Sequence, residues 1–130
     1  MRNIADKFAL ADGNFIPCIG YGTYKIEDPK QAYDCVRQAL EAGYRHIDTA
    51  AVYGNEESVG AAVRDSGLKR EDVFVTTKIW ASERGFDRAS RAIDDSLKRL
   101  GLDYVDMMLI HWPANAKNYS DWQHINLDTW

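Results

Sequence analysis

Along the chain, short apolar runs without polar alternation trade places with segments whose apolar residues recur every three or four positions. The first kind reads as strands covered on both faces, the second as helices with one buried stripe. Phe8 to Ala11 and Phe15-Ile16 flank Asp12-Gly13, a pair that tolerates positive φ and predicts a short hairpin turn. Cys18 to Tyr24 predicts a first main strand that ends in a glycine-rich corner. Asp28-Pro29-Lys30-Gln31 is a capping box with Pro at the first helical position, and Ala32, Cys35, Val36, Ala39 and Leu40 form one apolar face up to a stop at Gly43.

Arg45 to Thr49 predicts the second strand, followed by a short loop and a helix from about Asn55, with Val59, Ala62 and Val63 inward and Gly67 as its stop. Val73 to Trp80 reads as a third strand, Asp87 to Leu100 as a third helix with Ala89, Ile93, Leu97 and Leu100 inward, and Tyr104 to His111 as a fourth buried strand. Four strands thus alternate with three helices, which implies parallel strands joined by right-handed crossovers in an α/β fold. Pro113 to Asn126 reads as a long polar loop with Tyr119, Trp122 and His124 interleaved, and Leu127 to Trp130 as the opening of a helix.

The length of 130 residues suits a single domain with a real core. A formal charge of -4 excludes the clustered Lys and Arg that a nucleic-acid backbone or an anionic membrane surface demands, leaving small molecules as partners. With no bilayer-length apolar run and no signal-peptide core, a cytoplasmic protein is expected. Cys18 and Cys35 form no CxxC and have no histidine at ligand spacing, so both read as buried thiols and no metal site is expected.

The chemistry collects where three strands end, on Asp48, Lys78 and His111. Counting back by twos gives their companions on one face: His46; Thr76 and Phe74; Leu109 and Met107. If that face points inward, the three polar ends meet at the carboxyl edge of the sheet, where α/β proteins build their sites. Tyr53 lies one short loop beyond Asp48. A phenol titrates near 10 and is a poor acid at neutral pH unless a cation stands beside it. Lys78 supplies such a cation, Asp48 holds it, and His111 can orient a carbonyl oxygen. An Asp and Lys paired across strands are more often structural, and a single His at a strand end is usually a satisfied cap, but four such groups from three strands and one loop favour function. Gly20-Tyr21-Gly22 is half of a dinucleotide fingerprint with no third glycine, and reads better as a tight corner. Trp80, Trp112 and Tyr24 at strand ends could wall an apolar pocket or cover the sheet's rim.

Gly43 to Ala50 with Tyr53-Gly54-Asn55-Glu56, Thr76 to Trp80 around Lys78, and Ser96 to Asp106 with Leu109 to Pro113 resemble three signatures of the aldo-keto reductases. Their forms look most like the bacterial branch that includes the diketogluconate reductases. The resemblance implies a (β/α)8 TIM barrel that reduces aldehydes and ketones with NADPH. It implies Tyr53 as the general acid, with Lys78 and Asp48 as the pair that eases its ionisation and His111 as the group that orients the carbonyl. It also implies Gly22, Thr23, Tyr24 and Asp48 near the nicotinamide, and Trp80, His111 and Trp112 around the substrate. A full barrel takes roughly 250 residues, so residues 1–130 are expected to form the N-terminal part of one such domain: an N-terminal β-hairpin and about four βα units. The adenosine and pyrophosphate contacts of that family belong to the second half, so this chain alone is expected to give no reduction. Its first and fourth strands would each expose an unpaired edge and Phe74, Thr76, Met107 and Leu109 would face no opposing half, so it is expected to self-associate. Two other classes remain: a Schiff-base barrel enzyme using Lys78, and a binding module that keeps the fold without turnover.

Overall fold

The computed structural model describes residues 3–83 and 85–112; the loop read at Pro113 to Asn126 and the helix read at Leu127 to Trp130 lie outside the described residues. An antiparallel hairpin, β1 (Lys7–Ala9) with β2 (Phe15–Pro17), precedes a sheet of four parallel strands in the order β3 (Tyr21–Gly22), β4 (His46–Asp48), β5 (Phe74–Ile79), β6 (Met107–Ile110). Helices α1 (Pro29–Glu41), α2 (Glu56–Arg64) and α3 (Phe86–Leu100) are the crossovers between them.

The strand order follows the chain without reversal, and every helix lies on one side. Ile47 and Val75 pack with Val36 and Leu40 of α1, Val59, Ala62 and Val63 of α2, and Leu100 of α3. Because successive strand residues point to opposite faces, the residues that alternate with these, His46, Asp48, Phe74, Thr76 and Lys78, point the other way. An unreversed order with helices on one face is the curvature of a barrel wall. A doubly wound nucleotide-binding sheet would need a switch point and helices on both faces.

The helix boundaries have local causes. Asp28 caps α1 by accepting from the Gln31 backbone N–H at 2.6 Å, with Pro29 in the first turn, and Gly43 beyond its end has φ 101°. Glu56, 2% exposed, opens α2 and ties it to its neighbours: Thr77 Oγ1 donates to its Oε1 at 2.6 Å and Arg99 Nε to its Oε2 at 2.7 Å.

Several expectations need correction. The first strand is only Tyr21–Gly22, since Cys18 still belongs to the hairpin, its N–H donating to the carbonyl of Asp6 just before β1. The turn expected at Asp12-Gly13 does join β1 to β2, with Gly13 left-handed and the Asp12 carboxylate accepting from the Asn14 backbone and side-chain amides. Helix α2 stops at Arg64, three residues before Gly67, and the buried face of α3 uses Ser96 while Ile93 and Leu97 are half-buried. Strand β6 is not buried: Leu109 is 37% exposed, and among the described residues β6 pairs only with β5. Both cysteines are half-buried rather than buried.

Helices α2 and α3 touch at Gly60, where a Cβ would overlap the backbone carbonyl of Leu100; Arg64 donates to that same carbonyl. Ala is favoured over Gly in a helix by about 0.5–1 kcal/mol, but here the atom in the way is backbone and cannot rotate aside, so overpacking of about 1–3 kcal/mol or more wins. Gly60→Ala is therefore expected to lower the unfolding free energy by about 1 kcal/mol net, read as a lower urea midpoint at unchanged m, against the helix-propensity trend.

Candidate active site

Register brings the polar strand ends together. Gly22 lies beside Asp48, Asp48 beside Thr76, and Lys78 beside Leu109, with His111 next along the face; its N–H donates to Ile79 O at 3.1 Å, continuing the ladder. The Lys78 ammonium, whose side chain is 12% exposed, donates to Asp48 Oδ1 at 2.6 Å, Thr49 O at 2.8 Å and Tyr53 OH at 3.4 Å. Three donors meet three acceptors, so the ammonium is fully satisfied and geometrically fixed. It also lies 5.0 Å from the centre of the Tyr53 ring.

Tyr53 ends a short 3-10 turn, Ala51–Tyr53, closed by Gly54 at φ 71°, which aims the ring back over the strand ends. Around it Tyr24 stands at 5.0 Å and His111 at 5.5 Å between ring centroids, and Trp80 packs on His111 at 5.2 Å and on Trp112 at 5.1 Å. These aromatics and Val52 line an open cleft of about 460 Å³. Its floor carries the phenol and the imidazole, and its walls are apolar. A small molecule bearing one polar, proton-accepting atom fits that arrangement.

His111 Nδ1 is buried with no hydrogen-bond partner among the described residues. Burial and the nearby Lys78 charge hold this imidazole below its ordinary 6.5, with Asp48 pulling weakly the other way, so it stands neutral at pH 7. His46, deeper on the same face, is held below 6.5 mainly by burial, opposed by Asp48; its Nε2 shares a 2.9 Å hydrogen bond with Thr76 Oγ1.

The residues fit the nicotinamide end of a dinucleotide, with one exception. A Cβ added at Gly22 would meet nothing within 4 Å, so the chain leaves open space beside Asp48. The Asp48 side chain is 33% exposed, and Tyr24 presents its ring to the cleft. Thr23 differs: it is wholly buried, and its hydroxyl is within 3.3 Å of Asp48 O and 3.4 Å of Asn55 Oδ1, facing inward to the protein. Gly20 has another reason than a tight corner. Neither Gly20 nor Gly22 has positive φ, and a Cβ at Gly20 would lie 2.7 Å from His46 Nδ1, so Gly20 makes room for that ring. Among the described residues no group of three His, Cys, Asp or Glu could hold a metal, and no helix is long and apolar enough to cross a membrane.

Four parallel strands in chain order with their crossover helices on one face form part of the wall of a (β/α) barrel, and the chain belongs to the aldo/keto reductase family, whose model matches residues 18–126. It is similar to an aldehyde reductase of Saccharomyces cerevisiae, 50% identical over 117 residues that cover 90% of this chain and 36% of that protein. Among solved structures it is similar to an aldo/keto reductase from Brucella melitensis, with a TM-score of 0.88 and 48% identity, covering 100% of this chain and 47% of that one. A Bombyx mori aldo-keto reductase solved in complex with NADP superposes with a TM-score of 0.80 at 43% identity, covering 88% of this chain and 40% of that one. The chain thus spans less than half the length of the relatives it matches.

Both imidazoles are held neutral by the fold, so the unfolded chain takes up protons first as pH falls. Their contribution to stability is complete above about pH 6.5 and is lost as pH drops below it toward their depressed folded values. Urea unfolding is expected to show stability falling from about pH 6.5 downward, with a smaller fall in His46→Gln and His111→Gln. An unchanged pH dependence in both variants contradicts this assignment.

Proposed function

We propose that the protein carrying this chain reduces the carbonyl group of a small aldehyde or ketone to an alcohol with NADPH, and that Tyr53 gives the substrate oxygen its proton. The observation that carries this reading is the Lys78 ammonium, bonded at once to Asp48, to a backbone carbonyl and to the Tyr53 hydroxyl. A cation beside the phenol stabilises the negative charge that Tyr53 acquires as its proton leaves. Asp48 and the Thr49 carbonyl hold that cation where it faces the hydroxyl.

His111 orients the substrate. As a neutral imidazole it can donate one N–H to the carbonyl oxygen beside the phenol, and two donors aimed at one oxygen select the geometry in which charge develops there. Trp80, Trp112 and Tyr24 give the rest of the cleft an aromatic lining for the apolar part of the substrate. Gly22, Tyr24 and Asp48 would hold the nicotinamide end of NADPH, which when bound supplies the hydride for the carbonyl carbon; Thr23 would act there through its backbone or indirectly. The yeast and insect relatives, named as an aldehyde reductase and solved with NADP, support this choice of substrate class and cofactor. The Schiff-base alternative is disfavoured by the same geometry, because an ammonium with all three donors engaged presents no lone pair for attack on a carbonyl.

In the protein that carries this chain, Tyr53→Phe is expected to reduce carbonyl turnover by about 10²- to 10⁴-fold while NADPH affinity stays close to wild type. Stopped assays of NADPH oxidation with fluorescence titration of the cofactor measure both, and turnover near wild type removes Tyr53 from this role. The 130-residue chain on its own, with the exposed inward face of β6, is expected to give no NADPH-dependent reduction and to run as a dimer or larger species. Light scattering that finds a monodisperse monomer, together with micromolar NADPH binding, would refute that.

A further inference from the structure

Asn55 occupies the N-cap position of α2, yet its side chain makes no capping bond. Asn is among the best capping residues and capping contributes about 1 kcal/mol, so its diversion asks for another task. Nine-tenths and more buried, at 3% exposure, the amide spends both of its protons and its oxygen on partners outside the helix. Its Nδ2 donates to Thr23 O at 2.9 Å and Ile26 O at 3.0 Å; its Oδ1 accepts from Thr49 Oγ1 at 3.1 Å and lies 3.4 Å from Thr23 Oγ1.

The two donors clamp the loop from Thr23 to Ile26 on both sides of Lys25, a non-glycine residue at φ 63° that the loop alone would not favour. That loop carries Tyr24, whose ring packs on Tyr53. The acceptor side holds Thr49, whose carbonyl receives the Lys78 ammonium. One buried amide therefore joins the aromatic wall of the cleft to the backbone that positions the cation.

We propose that Asn55 is a positioning residue of the carbonyl-reducing site: its amide fixes the Tyr24 wall relative to the Lys78 and Tyr53 pair, and thereby sets how the substrate meets the proton donor. The proposal rests on the reductase reading above. Asn55→Asp keeps shape and acceptor but loses the donors to Thr23 and Ile26 while its carboxyl is ionised. Kinetics of the protein with NADPH and an aldehyde are expected to show kcat/KM reduced about 10- to 100-fold, as for a misplaced reacting group, with KM raised. Activity is expected to recover in part at acid pH, where a protonated carboxyl again donates to one of the two carbonyls. If Asn55 only supported folding, kcat would fall in step with the folded fraction seen by circular dichroism, with KM and the pH profile unchanged, and the proposal is overturned. Should Asn55→Asp fail to fold, Thr49→Val decides: it removes the hydroxyl that Asn55 accepts and leaves the Thr49 carbonyl. A several-fold loss of kcat/KM in folded Thr49→Val supports the link, and wild-type kinetics overturn it. A wild-type protein inactive toward every aldehyde overturns the reductase reading itself, whereas active wild type with an unaltered Asn55→Asp variant overturns the inference alone.

Discussion

The Lys78 ammonium can be placed in only one way. It has three protons, and the fold offers it a carboxylate from β4, a carbonyl from the residue after β4, and a phenol from the turn beyond. Each acceptor depends on a different part of the structure: the β4 to β5 register for Asp48, the Thr49 N–H bond to Thr76 O for the carbonyl, and the left-handed Gly54 for the ring. A nearly buried charge left with any of these missing is costly, so the cation in turn enforces the arrangement that satisfies it. The geometry of the cleft follows from that mutual requirement.

Behind it lies a division of labour between the two faces of the sheet. Ile47 and Val75 turn toward the helices and bury apolar surface; Asp48, Thr76 and Lys78 turn toward the site. Parallel strands with crossovers on one side leave the second face available for polar groups without taking anything from the hydrophobic core. Polar residues there have partners, as Thr76 has in His46 and Lys78 has in Asp48, which is how the fold tolerates them.

Much of this was legible in the residue pattern, because the strand period of two and the helix stripe are local. Asp48, Lys78 and His111 could be assigned to one face by counting, and the capping residues of α1 by type. What could not be read depended on contacts across tens of residues. The Thr23 hydroxyl, for example, meets Asn55, 32 residues away in sequence. Asn55 reads as an ordinary helix start, and only the bonds its side chain makes outside the helix show another use. Gly20 pointed to a turn, while its real constraint is the His46 ring arriving from the next strand. The apolar run of β6 tells how many faces the strand prefers to cover, while the openness of Leu109 follows from its place at the edge of the four described strands.

The alternation along β5 bears on how such a sequence can change with time. Thr76 serves His46, Thr77 serves Glu56, and Lys78 serves the phenol, three consecutive residues committed to opposite sides. Inserting or deleting one residue between Phe74 and Lys78 would rotate every later side chain through the sheet, sending the lysine into the apolar layer and Ile79 into the cleft. Substitutions can accumulate there singly, but length cannot. Growth and loss of chain are confined to the connections outside the strands, where they reshape the mouth of the cleft and leave its floor alone.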